Sequence, residues 1–464
     1  MDYLIFHLAD YVSKLRYEDL SPRAVEVGKQ VILDSYANMV FGRYCEASER
    51  MMRYADLADM SLLSEEKVSL LGTTPRKTGS DHAVFVHTMM ARCADLDDGY
   101  RHAMGHPGSG LVPLLLSMAQ LYRMNGKEMI AAIAAAYDIY ARLGEAINPF
   151  MYRERGFDAT GVCGAVAAAA MVAKIKGGDP ELIKNAMGIA SLFTGGLIEY
   201  QNDGTSGKIM CSGWGALTGM RAVRLAECGF TGPHAALEGK YGFFQAFKGT
   251  SGHCDMSHVL TDLGKDFKIT SIYFKRHACQ RGLHATLDAM IELRDAYALT
   301  PKEIKSVEVR TSSFVHRLSN PNPSTAVGAQ ASTQFTSAIA LKYGRMDSEA
   351  LVFESFRDPE IKELVQKITV IKDDEVQEYL NQNPTHFCAA KVIIETTDGR
   401  VLERWAPVPL GDAETPFGWD MLQEKLKRLV SGTPCESTAQ KRFEMLRNLE
   451  DLKSADDIDS LFLL

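Results

Sequence analysis

The chain has 464 residues, enough for more than one domain and a sizeable core. Its hydrophobic share of 46% and charged share of 24% are those of an ordinary globular protein, and its net charge of −8 argues against the basic face that nucleic-acid binding needs. Nine cysteines, scattered from Cys45 to Cys435, hold no Cys-x-x-Cys pair and no zinc or iron–sulfur spacing, which points to reduced thiols in a cytoplasmic-type compartment.

The N-terminal stretch MDYLIFHLADYVSK carries Asp2 and Asp10 where a secretion signal would have positive charge and then an apolar run, so no targeting segment is expected. The longest apolar run, Gly164 to Ala173, is too short to span a membrane. Ser21-Pro22 predicts a helix start with Ser21 as N-cap, and Gly42 its end. Val31, Tyr36 and Val40 read as core, with Asp34 a buried, hydrogen-bonded acid among them. Polar, turn-rich text from Ser61 to Gly79 precedes a second helix, Asp81 to Cys93.

That helix delivers the chain into the stretch with the most chemistry, DLDDGYRHAMGHPGSGLVPLLLSMAQLYRM from Asp95 to Met124. Asp95, Asp97 and Asp98 fall close together, and His102 and His106 follow. Pro107 to Gly110 read as a small-residue loop before an apolar helix that starts near Val112. The free N–H groups and dipole of a helix start can hold a carboxylate or phosphate. The plainer alternative is that the acids and His106 only cap and hydrogen-bond the loop. His102 and His106 share an i, i+4 spacing near Asp98, but Gly105-His106-Pro107 interrupts any regular helix, so no metal site is predicted.

Asn125-Gly126 ends that helix, and two alanine-dense helices follow, Lys127 to Ile147 and Gly161 to Lys176, of the kind that packs closely in an all-α core. Asp179-Pro180 opens another, which breaks at Gly195-Gly196. The segment Gly196 to Gly215, GLIEYQNDGTSGKIMCSGWG, is too polar and glycine-rich for ordinary core and reads as a loop with Lys208 in its middle. That lysine is placed to pair with an acid or to meet a substrate carboxylate. A helix from Trp214 to Cys228 follows.

Beyond Lys265 the character changes. Lys275, Arg276, His277, Arg281 and His284 crowd together ahead of a helix from Leu283 to Ala298. IKSVEVRTSS, KITVIKD and KVIIETTDGRVLERW read as strands, with Asp398-Gly399 as a hairpin turn and helical text between them at Ala329 to Tyr343 and Asp347 to Phe356. Helical text returns after Gly411. The expected architecture is mainly α: a large all-helical domain, residues 1–265 completed by 406–464, and a smaller α+β unit, residues 266–405.

Taken in order, VILDSYANMVFG, DLDDGYRHAMGHPGSGLVP, FDATGVCGAVAAAAMVAKIKG, DGTSGKIMCSGWGALTGMRAVRLAECGFTGP, LEGKYGFFQAF, FKRHACQRGLHATLDAM and GDAETPFGWDMLQEKLKRLV resemble the MmgE/PrpD family over nearly the whole chain. This is the group of 2-methylcitrate dehydratase, cis-aconitate decarboxylase and iminodisuccinate epimerase. The resemblance implies a helical domain with an α+β lid, a homodimer, no organic cofactor, and a small polycarboxylate as substrate. It sets Asp95 at the family's first acid, His106 at the histidine before the Pro-Gly turn, Lys208 at the lysine of the glycine-rich loop, and Lys275 at the lysine that opens the lid. The chain departs from the pattern at Asp158, where catalytic members have a histidine, and at Gln280, where the decarboxylase has one. The decarboxylase's pocket tyrosine has no clear counterpart in SFVHRLSNPNPS.

Two readings follow. In the first, the protein is a lyase that abstracts a proton next to a carboxylate, in the manner of 2-methylcitrate dehydratase, or else an isomerase, epimerase or decarboxylase on a related acid. His106 would be the acid/base, Asp95 its orienting partner and Asp158 a further base, while Lys208, Lys275, Arg276, Gln280 and Arg281 would bind carboxylates. In the second, the chain is a relative that kept the fold and lost the chemistry. On the first reading His106, Lys208 and Lys275 converge on one cleft together with Asp95 and Asp158.

Overall fold

The computed structural model describes residues 3–57, 66–250, 252, 254–347, 349–383, 386, 388–453 and 455–464. Asp2 and the start of the turn-rich stretch, residues 61–65, lie outside the described residues; within its remainder, Lys67–Ser69 pairs antiparallel with Lys77–Gly79.

The first long helix, Pro22–Tyr44, begins as its sequence dictates: Ser21 Oγ accepts from the Ala24 N–H at 3.2 Å, and proline fills the first helical position. It runs on past Gly42. A Cβ at Gly42 would lie 2.5 Å from Met90 Cα, so this glycine is kept for a backbone-to-backbone crossing with the Ser80–Cys93 helix and is not a stop. At the centre of the helical body lies Ala159–Ile175, buried from Ala159 to Ala173 and packed on Gly108–Tyr122, Gly126–Ile147, Pro180–Leu192 and Gly207–Glu227. Alanine gives up almost no side-chain entropy and lets helices approach closely. At Gly219 an added Cβ would sit 2.6 Å from that of Ala168. Most of the burial energy comes from larger neighbours such as Leu114, Ile133 and Met187, fully buried and worth about 2 kcal/mol each.

Two boundaries differ from the sequence reading. Gly108 to Gly110 form the first turn of the Gly108–Tyr122 helix and not a loop before it. The Gly207–Glu227 helix begins well before Trp214, so Lys208 stands in its first turn. Its glycines weaken local helix propensity, and packing against Ala159–Ile175 and Ser80–Cys93 overrides that preference.

The C-terminal helices Trp419–Val430, Ala439–Arg447 and Ala455–Phe462 return to this body; Leu422, Phe443 and Leu461 share one hydrophobic cluster with Ile5 and Val31. Lys425 is buried with them and donates to Asp34 Oδ1 at 2.5 Å and to the Leu96 carbonyl at 2.6 Å. A second cluster runs from Cys279 to Ala406. Its four-stranded mixed sheet has Ile304–Thr311 paired parallel to Ile368–Lys372 and antiparallel to Ala390–Thr396, which in turn pairs with Val401–Ala406. A register shift between Ile304 and Ser306 resets the pleat, so that Val307, Val309 and Thr311 all point inward. The helices His284–Ala296, Thr333–Tyr343 and Pro359–Lys367 cover it. The chain is thus mainly α with a small mixed sheet, and no helix among the described residues is long and apolar enough to cross a membrane.

Candidate active site

The Ser80–Cys93 helix ends with Arg92 in its last turn, and the chain then bends through Asp95 at φ 55°. A non-glycine residue adopts this conformation at a cost of about 1 kcal/mol, and the contacts it makes offset that cost. Asp95 Oδ1 accepts from Lys275 Nζ at 2.6 Å, and Oδ2 meets Lys208 Nζ at 2.7 Å. Burial pushes the Asp95 carboxyl up, but the two lysines outweigh it and hold the group well below the usual carboxylate range. Burial lowers the Lys208 ammonium, with Lys275 and Arg92 adding to that effect and Asp95 opposing it.

The next two acids have other tasks. Asp97 Oδ2 accepts from Arg92 Nη1 at 2.5 Å. Asp98 accepts from the Tyr137 hydroxyl at 2.7 Å and the Gly108 N–H at 3.0 Å. Burial, reinforced by Asp34 and Asp97 and opposed by the Tyr137 hydrogen bond, pushes the Asp98 carboxyl up to about 8, so it holds its proton at neutral pH.

His106 is fixed at both ends. Its backbone N–H donates to Thr160 Oγ1 at 3.1 Å, and its Nδ1 lies 2.8 Å from the Asp98 carbonyl. A carbonyl only accepts, so Nδ1 carries the hydrogen and Nε2 is left with the lone pair. Asp97 Oδ2 stands 3.6 Å from the same Nδ1. Burial, seconded by the Arg92 guanidinium, holds the imidazole well below its ordinary range, so it is neutral at physiological pH. With its side chain 16% exposed, the ring reaches the cavity described below.

Lys275 arrives on an extended segment. Gly99 and Tyr273 exchange backbone hydrogen bonds at 2.8 and 3.0 Å, and from there side chains alternate: Tyr273 and Lys275 face the cavity, while Phe274 stacks on Phe417. The same alternation turns Arg276 away. It pairs with Asp288 at 3.0 Å and does not line the cavity. Gln280 does line it, although its Oε1 accepts from the Gly282 N–H at 2.5 Å and so caps a short turn. Asp158 also lines it, as the N-cap of Ala159–Ile175: Oδ1 accepts from the Thr160 N–H at 2.8 Å, Oδ2 from the Tyr200 hydroxyl at 2.7 Å, with Arg92 Nη2 3.9 Å away. Burial raises its carboxyl, but Arg92 and these hydrogen bonds outweigh that and hold it low.

These groups surround a cavity of 530 Å³. His106, Lys208, Lys275, Asp95, Asp158 and Gln280 are brought together there, and Arg276 is not. Sequence reasoning missed Arg92, Tyr273, Arg153 and Arg317. Arg92 left one signal, a lone charge closing the mostly apolar run AVFVHTMMA. Arg92, Arg153, Lys208, Lys275, Arg281 and Arg317 bring six cationic side chains to the wall against two carboxylates, Asp95 and Asp158.

The chain matches known proteins along nearly all of its length. Residues 6–253 match the MmgE/PrpD N-terminal domain and residues 277–451 the MmgE/PrpD C-terminal domain. It is 26% identical over 477 residues to the cis-aconitate decarboxylase-like protein oryM of Aspergillus oryzae, which covers 98% of this chain and 96% of that protein. It is 24% identical over 469 residues to the cis-aconitate decarboxylase of Aspergillus terreus, covering 96% and 93%. To the cis-aconitate decarboxylase of Homo sapiens it is 22% identical over 467 residues, covering 98% and 93%. The chain belongs to the MmgE/PrpD family.

Proposed function

We propose that this enzyme is a lyase for a small di- or tricarboxylate and works through a carbanion next to a carboxylate. The supporting observation is the cationic wall of the cavity: of its six cationic side chains Lys208 and Lys275 share Asp95, Arg92 pairs with Asp97 and Arg281 with Asp412, while Arg153 and Arg317 have no carboxylate partner among the described residues. Lys275 is buried and Lys208 half-buried while Arg153 and Arg317 are exposed, so an anionic ligand that reaches from the arginines to the lysines would balance the cationic excess most readily, and 530 Å³ suits a small polyacid.

His106 Nε2 takes the proton from the carbon next to a bound carboxylate. The C–H electron pair shifts toward that carboxylate, whose added charge Lys208 and Lys275 stabilise. The pair then forms a carbon–carbon double bond as the β-hydroxyl leaves. Lys208, its ammonium made more acidic by burial and neighbouring cations, supplies the proton that turns the hydroxyl into water. The new imidazolium lies beside Asp97 and returns its proton to Lys208. Asp158, with both oxygens engaged, holds Arg92 and the helix start, so the base role passes to His106 alone.

The names of the relatives favour a second reading, decarboxylation of a cis-aconitate-like acid. There the carbon–carbon bond to a carboxylate breaks, carbon dioxide leaves, and the electron pair stays on carbon until an imidazolium at His106 protonates it. Substrate carboxylates would raise the proton affinity of His106 enough for that role.

In this proposal the residues around the sheet act as a lid over the cavity. The protein works as a homodimer, for which Phe193, Leu197 and Trp214, 70%, 62% and 54% exposed, offer apolar surface. Its nine cysteines, scattered without a Cys-x-x-Cys pair, suit a reducing, cytoplasmic compartment. Sedimentation at micromolar concentration should give the dimer mass. The reaction is tested with 2-methylcitrate, read as new enoate absorbance, and with cis-aconitate, read as carbon dioxide release. One should turn over in the wild type, and His106→Ala should lower that turnover at least about 10²-fold. Failure of the wild type to bind or convert either acid, or turnover in His106→Ala close to that of the wild type, overturns the proposal.

A further inference from the structure

Two thiols outside the cavity meet where two helices end. Cys45 caps the C-terminus of Pro22–Tyr44, and Cys93 is the last residue of Ser80–Cys93. Their Sγ atoms are 3.5 Å apart, and both residues are half-buried. The helix crossing builds this contact. Gly42 and Met90 touch backbone to backbone, and each thiol lies one turn beyond, donating back to the carbonyl at the crossing: Cys45 to Gly42 and Cys93 to Met90, each at 3.2 Å. With no room for a Cβ at Gly42, the two helix ends are held near each other, as a disulfide requires. Of the other cysteines, Cys163, Cys211, Cys279, Cys388 and Cys435 are buried, and none among the described residues lies against a second thiol.

We propose that Cys45 and Cys93 are a reversible oxidation site, which takes a small two-electron thiol oxidant of the disulfide class and closes to an intramolecular disulfide. One cysteine, as thiolate, attacks a sulfur of the small disulfide; that S–S bond breaks, a mixed disulfide forms, and one small thiolate leaves and picks up a proton. The second cysteine, deprotonated in turn, attacks the protein sulfur of the mixed disulfide and expels the other small thiol. The two protein thiols lose two electrons and two protons, and the small disulfide gains them as two thiols. The contact shortens from 3.5 Å to a bond of about 2.05 Å. Only Ala94 separates Cys93 from Asp95, which sets the modification beside the loop that holds both lysines. In a reducing compartment such a pair rests as thiols and closes only when the thiol poise shifts.

The test uses the full chain, incubated with excess glutathione disulfide or, in a parallel sample, diamide, then blocked with N-ethylmaleimide and digested without reduction. The expected result is a linked peptide pair containing Cys45 and Cys93, the loss of two of the nine titratable thiols, and full reversal by dithiothreitol. The oxidised wild type should melt several degrees higher, because a cross-link constrains the unfolded chain. Cys45→Ser and Cys93→Ser, each checked for an unchanged melting temperature before oxidation, should show neither change. Stable glutathione adducts on either cysteine without the linked pair, links scrambled among other cysteines, or an unchanged thiol count with both oxidants would overturn the proposal.

Discussion

Lys275 reaches Asp95 across 180 residues of chain, its Nζ 2.6 Å from Oδ1, while the other oxygen of the same carboxylate holds Lys208. One buried acid therefore keeps two like charges side by side. Asp95→Asn removes that balance, and breaking a buried pair typically costs about 3–5 kcal/mol. Urea unfolding should show a loss at the lower end of that range, partly recovered by a polycarboxylate that supplies the missing charge. An asparagine variant as stable as the wild type would contradict this account of the site.

His106→Ala should leave the fold intact and lower turnover by about 10²–10⁴-fold, the usual contribution of a placed acid/base. Because burial and Arg92 hold the imidazole below its ordinary range, the base stays unprotonated as pH falls through 6.5. The acid limb of the kcat/KM profile should lie below pH 6.5. The alkaline limb should lie below the ordinary lysine value, since the Lys208 ammonium is also depressed. An acid limb at or above pH 6.5 would assign the base elsewhere.

Asp98 supplies a pH dependence of stability with the opposite sense. Its folded carboxyl is raised to about 8, while an unfolded aspartate titrates near 3.8. Between those values the folded state binds the extra proton, so stability falls as pH rises. Asp98→Asn keeps an acceptor for the Gly108 N–H and removes the titration. Relative to wild type, the variant should gain stability between pH 5 and pH 8 in urea melts, and an unchanged difference would refute the assignment.

Asp158→Asn separates capping from catalysis. Asparagine caps helices as well as aspartate does, whereas alanine costs about 1 kcal/mol. The asparagine variant loses the charge that faces Arg92 but keeps the cap, so it should lose less stability than the alanine variant and retain measurable turnover. The alanine variant should lose the capping increment as well. Complete loss of activity in a stable Asp158→Asn protein would restore Asp158 to the role of base.

Arg153 and Arg317 each lie 5.1 Å from the centre of the Phe314 ring, on the cavity wall, and neither side chain has a carboxylate partner among the described residues. Burial and the Arg317 charge lower the Arg153 guanidinium, the sign of an unbalanced pair. Arg153→Ala and Arg317→Ala should raise KM for a tricarboxylate severalfold with kcat little changed. A fall in kcat at constant KM would point to a role in the chemical step.

Much of this site was legible in the sequence because its members are unusual where they stand. Lys208 sits in a glycine-rich stretch and His106 before Pro-Gly, and neither setting is ordinary core or ordinary surface. Arg276 was misplaced although its neighbour was right: in an extended segment adjacent side chains face opposite ways, so choosing Lys275 already excluded it. Asp158 ahead of Ala159-Thr160-Gly161 carries the residue type of an N-cap, and reading it as a base passed over that simpler local job. Arg92 depends on the phase of its helix and Arg153 and Arg317 on how two cores face each other, and neither relation has a local trace. Gly42 looked like a helix stop because the partner backbone that requires it lies far along the chain.

Lys425 gives the chain an order of assembly. Asp34 emerges early from the ribosome, within a helix that buries it, and the ammonium that neutralises it and grips the Leu96 carbonyl is made almost last. Until that helix leaves the exit tunnel, the loop between Asp95 and Asp98 lacks one of its fastenings, and Asp34 lacks the ammonium that favours its ionised form against burial. The wall of the pocket is therefore fastened last by the tail of the polypeptide. A stalled or clipped chain ending before Lys425 would hold every residue of the pocket and still be an unfinished enzyme, exposed to chaperones and proteases as an unfolded client.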